Sequence, residues 1–139
     1  DGSPTWSPAG QIAFVSSRAG GPQIFRMSSS GGGATRVTKK GSYNQSPDWN
    51  HGKGRGQWVV YSGRDSSNRY DIFKVDVKSG KVQRITQQAG RNLDPSWSPD
   101  GRFVAYSRNG GIYVATEDGL NNVQIAKGAS TPDWGPRAY

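Results

Sequence analysis

Four segments of this chain repeat one short pattern: Pro4-Thr5-Trp6-Ser7-Pro8, Pro47-Asp48-Trp49, Pro95-Ser96-Trp97-Ser98-Pro99-Asp100-Gly101 and Pro132-Asp133-Trp134-Gly135-Pro136. Their tryptophans stand 43, 48 and 37 residues apart. A repeat of that length marks stacked supersecondary units, each too small to bury its own apolar face and each covered by a neighbour. The chain must therefore fold as an array, and three full copies with a fourth begun limit how that array can close.

Each copy divides into four strand-sized pieces. The Pro-x-Trp segment comes first, followed by Ile12-Ala13-Phe14-Val15, Trp58-Val59-Val60-Tyr61 and Phe103-Val104-Ala105-Tyr106 in the three copies. Third pieces lie at 23–27, 71–75 and 111–114, and fourth pieces at 35–38, 83–86 and 123–126. Short runs rich in β-branched and aromatic residues, bounded by glycine and polar clusters, read as buried strands. Ile24 to Val37, Ile72 to Ile85 and Ile112 to Ile125 are each separated by 13 residues. A constant step predicts an outer hairpin of fixed register, with turns at 29–33, 78–80 and 117–119. No window carries a helical period. The expected fold is all-β, a β-propeller of four-stranded antiparallel blades with three blades in the chain. The blades are expected at about 4–38, 46–86 and 94–126, within one partial propeller spanning 1–139, with a further strand at 132–136.

Trp97-Ser98-Pro99-Asp100-Gly101, the following Phe103-Val104-Ala105-Tyr106-Ser107, the Ile112-Tyr113 pair and the Arg84-Ile85-Thr86 ending together resemble the repeats of the TolB propeller family. The resemblance covers essentially the whole chain. It implies a periplasmic, non-enzymatic binding scaffold of six blades with a smaller N-terminal domain, of which this chain would be the C-terminal three blades. It also implies a peptidoglycan-associated lipoprotein-like partner, presenting an acidic face, and a role in envelope integrity. In that family the end of the chain supplies an innermost strand to the first blade. The 132–136 segment resembles such a closing strand, yet Pro4–Pro8 already serves the first blade. Three blades with a surplus strand imply a homodimer or association with a missing half-propeller. Similar repeats occur beside prolyl-oligopeptidase-type enzymes, so a gating propeller fragment is one alternative. A self-assembling lectin-like or engineered half-propeller is another.

Lys and Arg number 18 against 10 Asp and Glu, a net charge of +8. The excess favours acidic partners by steering, but it is spread through the repeats, so no specific nucleic-acid site is expected. No apolar stretch is long enough for a membrane-spanning helix. The chain starts at Asp1, which suggests a processed form or an excised fragment. There is no cysteine and one histidine, His51, so neither a disulfide framework nor a typical zinc site can form. No metal or cofactor is expected.

No Gly-x-Ser-x-Gly elbow precedes a helix, and no catalytic residues are assigned. The glycine-rich loop 51–57 lacks the Gly-Lys-Ser/Thr ending of a phosphate loop and reads as a lengthened, solvated turn. Asp48, Asp94, Asp100 and Asp133 read as turn residues. The Pro-x-Trp tryptophans and Trp58 are expected in packing positions. The residues most suited to binding are those that recur in the connections at the channel mouth. One set is Tyr43, Asn44 and Gln45 with Arg91, Asn92 and Asp94; the other is Arg18, Arg64, Arg69 and Arg108. Guanidiniums repeated around one rim would suit carboxylates on a protein partner.

Overall fold

The computed structural model describes residues 2–64, 68–87 and 90–127. The described residues form three four-stranded antiparallel sheets, each a meander from an inner to an outer strand. The first holds β1 (Gly2–Trp6), β2 (Gln11–Ser16), β3 (Gln23–Ser28) and β4 (Thr35–Arg36). The second holds β5 (Tyr43–Trp49), β6 (Trp58–Arg64), β7 (Tyr70–Asp76) and β8 (Val82–Arg84). The third holds β9 (Asn92–Trp97), β10 (Phe103–Arg108), β11 (Gly111–Thr116) and β12 (Asn122–Lys127). Phe25 pairs with Arg36, Phe73 with Arg84 and Tyr113 with Gln124, the register expected from the 13-residue step. In the third blade a register shift then sets Ile112 opposite Ala126 instead of Ile125.

The inner strands run further upstream than the Pro-x-Trp words. Tyr43, Asn44, Gln45, Asn92 and Asp94, expected in loops, lie within β5 and β9. A β-bulge permits this. Ser3, Ser46 and Asp94 each precede the strand proline and each adopt the left-handed region, with φ of 50°, 54° and 51°. The pairing of all three inner strands shifts around these positions. Left-handed backbone is strained for a residue with a side chain, and a residue before proline ordinarily prefers extended backbone. The bulge carries the strand past a residue with no N–H to donate.

The bulges also aim the following side chains at the next blade. Thr5 Oγ1 accepts from the Trp49 amide at 3.1 Å, and Asp48 Oδ2 accepts from the Trp97 amide at 2.8 Å. Asp48 is therefore an interblade staple in a strand, where a turn residue was expected. Each tryptophan then fills the face of the preceding blade. Trp49 packs with Ala13, Ile24 and Val37, and Trp97 with Val60, Ile72 and Ile85. Trp49 and Trp97 are 2% and 1% exposed. Trp6 has no preceding blade among the described residues and is 55% exposed, against the packing role expected for it. The free face of the third blade shows the matching deficit: Ile125 is 61% exposed where its counterpart Ile85 is 0%. The 132–136 segment and Trp134 lie outside the described residues.

A buried polar cluster pins each junction. At the first, the Thr38 hydroxyl donates to Gln23 Oε1 (2.7 Å), accepts from the Ile24 amide (2.9 Å), and Asn44 Nδ2 donates to the same Gln23 oxygen (2.7 Å). At the second, Asp71, Thr86 and Asn92 repeat this arrangement at 2.6, 3.0 and 3.2 Å, with Arg84 closing on the Asp71 carboxylate. Fully partnered, such clusters fix one arrangement of blades; left half-partnered, they would cost more than an apolar contact.

Loop 51–57 is solvated only in part: Lys53, Gly54 and Gly56 are exposed, but the loop also makes contacts a free turn would not. Asn50 Nδ2 donates to Gly101 O at 3.0 Å, and buried Gly52 lies so close to Asp100 that an added Cβ would stand 2.1 Å from its carbonyl oxygen. Arg55 reaches Glu117 with both Nε and Nη2, at 2.9 and 3.2 Å, and His51 Nε2 meets Trp6 O at 2.8 Å. The loop clasps the second blade to both neighbours on the side opposite the channel mouth.

Candidate functional site

The connections from outer to next inner strand, and from second to third strand, emerge at one end of the sheets. There β5 starts, β6 ends, β7 starts and β9 begins, and four side chains stack in a row. The Arg64 guanidinium lies 5.4 Å from the centre of the Tyr43 ring. Tyr43 meets Tyr70 edge-on, with centroids 6.3 Å apart and planes at 80°. The Arg91 guanidinium lies 5.2 Å from the centre of the Tyr70 ring. Antiparallel pairing of Tyr43 with Arg64, and of Arg64 with Tyr70, sets the first three in line; a bridge between Tyr70 and Arg91 adds the fourth.

This row suits protein recognition. The tyrosines and Arg64 are half-buried and Arg91 is exposed, so rigid aromatic surface is flanked by two cations whose rotamers are already restrained. Tyr and Arg are the residue types that most often carry binding energy at protein interfaces. Arg64 Nε also donates to Ser42 Oγ at 3.3 Å. Beside Tyr43 a recess of about 280 Å³ is lined by Gln45 and by the left-handed Ser3 and Ser46.

The other residues singled out from the sequence are dispersed. Asn44 and Asn92 are buried in the junction clusters and hold blades together. Asp94 occupies the third bulge. Arg18 donates from Nε to Ser16 Oγ at 2.9 Å and lies over the stacked Phe14 and Phe25 rings, 5.5 and 5.2 Å from their centres. Arg108 lies 4.0 Å from the centre of the Tyr113 ring. Arg69 is exposed just before β7. Apart from Arg69, the arginines thus form separate aromatic-backed positions, with Arg64 and Arg91 in the row and Arg18 and Arg108 single on the first and third blades. Tyr70, central to the row, was not singled out from the sequence. Its signal was its place, the residue before the third-strand run and next to Arg69. Among the described residues no three His, Asp or Glu side chains gather as a metal-binding group.

The TolB beta propeller domain matches residues 1–138. The chain belongs to the TolB β-propeller family. Over 137 residues it is 31% identical to an uncharacterized protein of Agrobacterium fabrum, Atu1656, covering 94% of this chain and 44% of that protein. It is 29% identical over 122 residues to the Tol-Pal system protein TolB of Helicobacter hepaticus, covering 83% of this chain and 27% of that one. The solved structure assigned to TolB of Agrobacterium tumefaciens superposes with a TM-score of 0.77 at 26% identity, over 91% of this chain and 46% of its own. This TolB-family chain therefore spans less than half of those relatives. A puromycin-hydrolyzing peptidase of Mycobacterium tuberculosis shares the fold alone, with a TM-score of 0.67 at 14% identity, 94% of this chain and 21% of its own.

Proposed function

We propose that the chain is a non-enzymatic protein-binding scaffold of the periplasm, and that the Arg64–Tyr43–Tyr70–Arg91 row receives an acidic protein face. The row carries this reading: it offers two cations backed by aromatic rings at the end of the blades where a partner can approach. The kinship with Tol-Pal system proteins makes a peptidoglycan-associated lipoprotein the natural partner to test. The net charge of +8 would speed encounter with an acidic partner and make the on-rate salt-dependent. In biolayer interferometry with that lipoprotein, R64A/R91A should weaken binding by about tenfold or more. Unchanged affinity in the variant, or no binding by a folded parent chain, would refute the proposal.

Assembly follows the same logic. The exposed Trp6 and the uncovered face around Ile125 are the two halves of the junction made twice within the chain by Trp49 and Trp97. A second copy joined through both would supply the missing covers. Sedimentation equilibrium should then give a dimer that W6A weakens; a folded 15.0 kDa monomer at micromolar concentration would contradict it.

A further inference from the structure

The two internal junctions are built alike but closed differently at the periphery. At the second, the turn after β11 packs inward: a Cβ on Gly119 would stand 2.7 Å from Ile85 O, and Gln83 Nε2 donates to Asp118 O at 3.0 Å. At the first, a Cβ on the corresponding Gly80 would find no atom within 4 Å. A groove of about 790 Å³ is left between the first and second blades. That volume lies in the range of small-molecule sites.

The groove has an aromatic floor and a basic end. Tyr61 and Phe73 stack with centroids 5.6 Å apart and planes at 19°, and Val82, 44% exposed, continues the apolar surface. Lys39 and Lys40 are exposed on one wall, and among the described residues no acidic side chain lines the groove. Their backbone is held in place, because Asn44 Nδ2 donates to Lys40 O at 2.9 Å and Arg36 Nε to Thr38 O at 2.6 Å.

A second observation concerns one tyrosine hydroxyl. In the third blade, Tyr106 takes the place of Tyr61, and its hydroxyl donates to Asn122 Oδ1 at 2.7 Å. The residue corresponding to Asn122 in the second blade is Val82, which offers no acceptor. Tyr61 is only 4% exposed, lines the groove, and its hydroxyl has no partner among the described residues. Burial raises the pKa of this phenol, so at neutral pH it is a hydrogen-bond donor. The hydroxyl can therefore donate to a ligand oxygen in the groove that Tyr61 lines.

We propose that this groove binds a small amphipathic carboxylate. Its apolar body lies on the Tyr61–Phe73 stack, its charge faces Lys39 and Lys40, and the Tyr61 hydroxyl donates to one of its oxygens. The site is separate from the protein-binding row, sharing with it only Arg64 at the upper edge. It is contained within the first two blades, so it does not depend on dimerisation.

The probe is 4-phenylbutyrate, titrated into the ¹⁵N-labelled chain and followed by amide shifts. Saturable shifts at Gly41, Ser79, Gly80 and Val82 are expected. Tyr61→Phe, which keeps the aromatic stack, should weaken binding about fivefold, and K39A/K40A about tenfold. The neutral amide, 4-phenylbutanamide, should bind the parent about tenfold more weakly. Arg91→Ala should leave the probe's affinity unchanged while weakening the protein partner, which separates this site from the proposed protein interface. The proposal is overturned by a folded parent that shows no saturable shifts, by shifts centred elsewhere, or by equal affinity for acid and amide. Folded Y61F and K39A/K40A proteins that both bind as the parent does would also overturn it.

Discussion

Trp49 and Trp97 occupy the same position in successive blades, yet their indole nitrogens differ. Trp49 Nε1 donates to Gly56 O at 2.6 Å, whereas buried Trp97 Nε1 has no partner among the described residues. Replacing either by alanine should cost about 3–5 kcal/mol, because each fills an interblade core. Phenylalanine separates them. Trp49→Phe loses the same apolar area and also the hydrogen bond to Gly56 O, adding about 1 kcal/mol. Trp97→Phe loses that area but removes an unpaired buried N–H, whose burial itself costs about 1–3 kcal/mol. The two variants should differ by about 2 kcal/mol. Urea unfolding followed by far-ultraviolet circular dichroism resolves this. A slope of about 1–3 kcal/mol per molar turns the difference into a midpoint gap of about 1 M. Coincident midpoints for W49F and W97F would refute the packing account.

The second junction rests on Asp71, so Asp71→Ala should destabilise by about 3 kcal/mol in chemical denaturation, leaving Arg84, Thr86 and Asn92 without their common acceptor. Asp71→Gln installs the residue of the first junction and should recover part of that loss. Arg55→Ala breaks a partly exposed ion pair with Glu117 and should cost less than about 1 kcal/mol, an effect that shrinks in 1 M salt when read by thermal unfolding. Asp100 is held below the usual carboxylate range by the Ser98 hydroxyl and the Arg102 amide. Its contribution is present above the unfolded value of about 4 and is lost as pH falls through the lower folded value. Urea midpoints between pH 5 and pH 2 should therefore fall more steeply for the parent than for D100N.

Much of this molecule was legible in the residues themselves, because a propeller repeats its solutions. The step from Ile24 to Val37 and its two counterparts carried the outer hairpin register, and the tryptophan words located the blade junctions. The bulges were not legible, since Ser3, Ser46 and Asp94 share no side-chain chemistry and residues before proline ordinarily avoid left-handed backbone. That gap put Tyr43 and Asn92 in loops when they begin strands. Loop 51–57 misled for a related reason. Its glycines suggested solvent, but Gly52 is small because the third blade's Asp100 carbonyl lies against it. The junction clusters could have been found by setting copies in register, where Thr38 and Thr86, and Asn44 and Asn92, recur. The stacked row escaped because it joins residues of three connections, and only pairing brings Tyr70 beside Tyr43.

The central claim is that this TolB-family scaffold recognises protein through the mouth of its second blade. Hydrogen exchange of the chain, free and with a peptidoglycan-associated lipoprotein, tests it directly. The account predicts protection concentrated at the amides around Tyr43, Arg64, Tyr70 and Arg91, with loop 51–57 and the outer turns unchanged. Protection confined to loop 51–57 or to the outer turns, with the mouth unchanged, would contradict it.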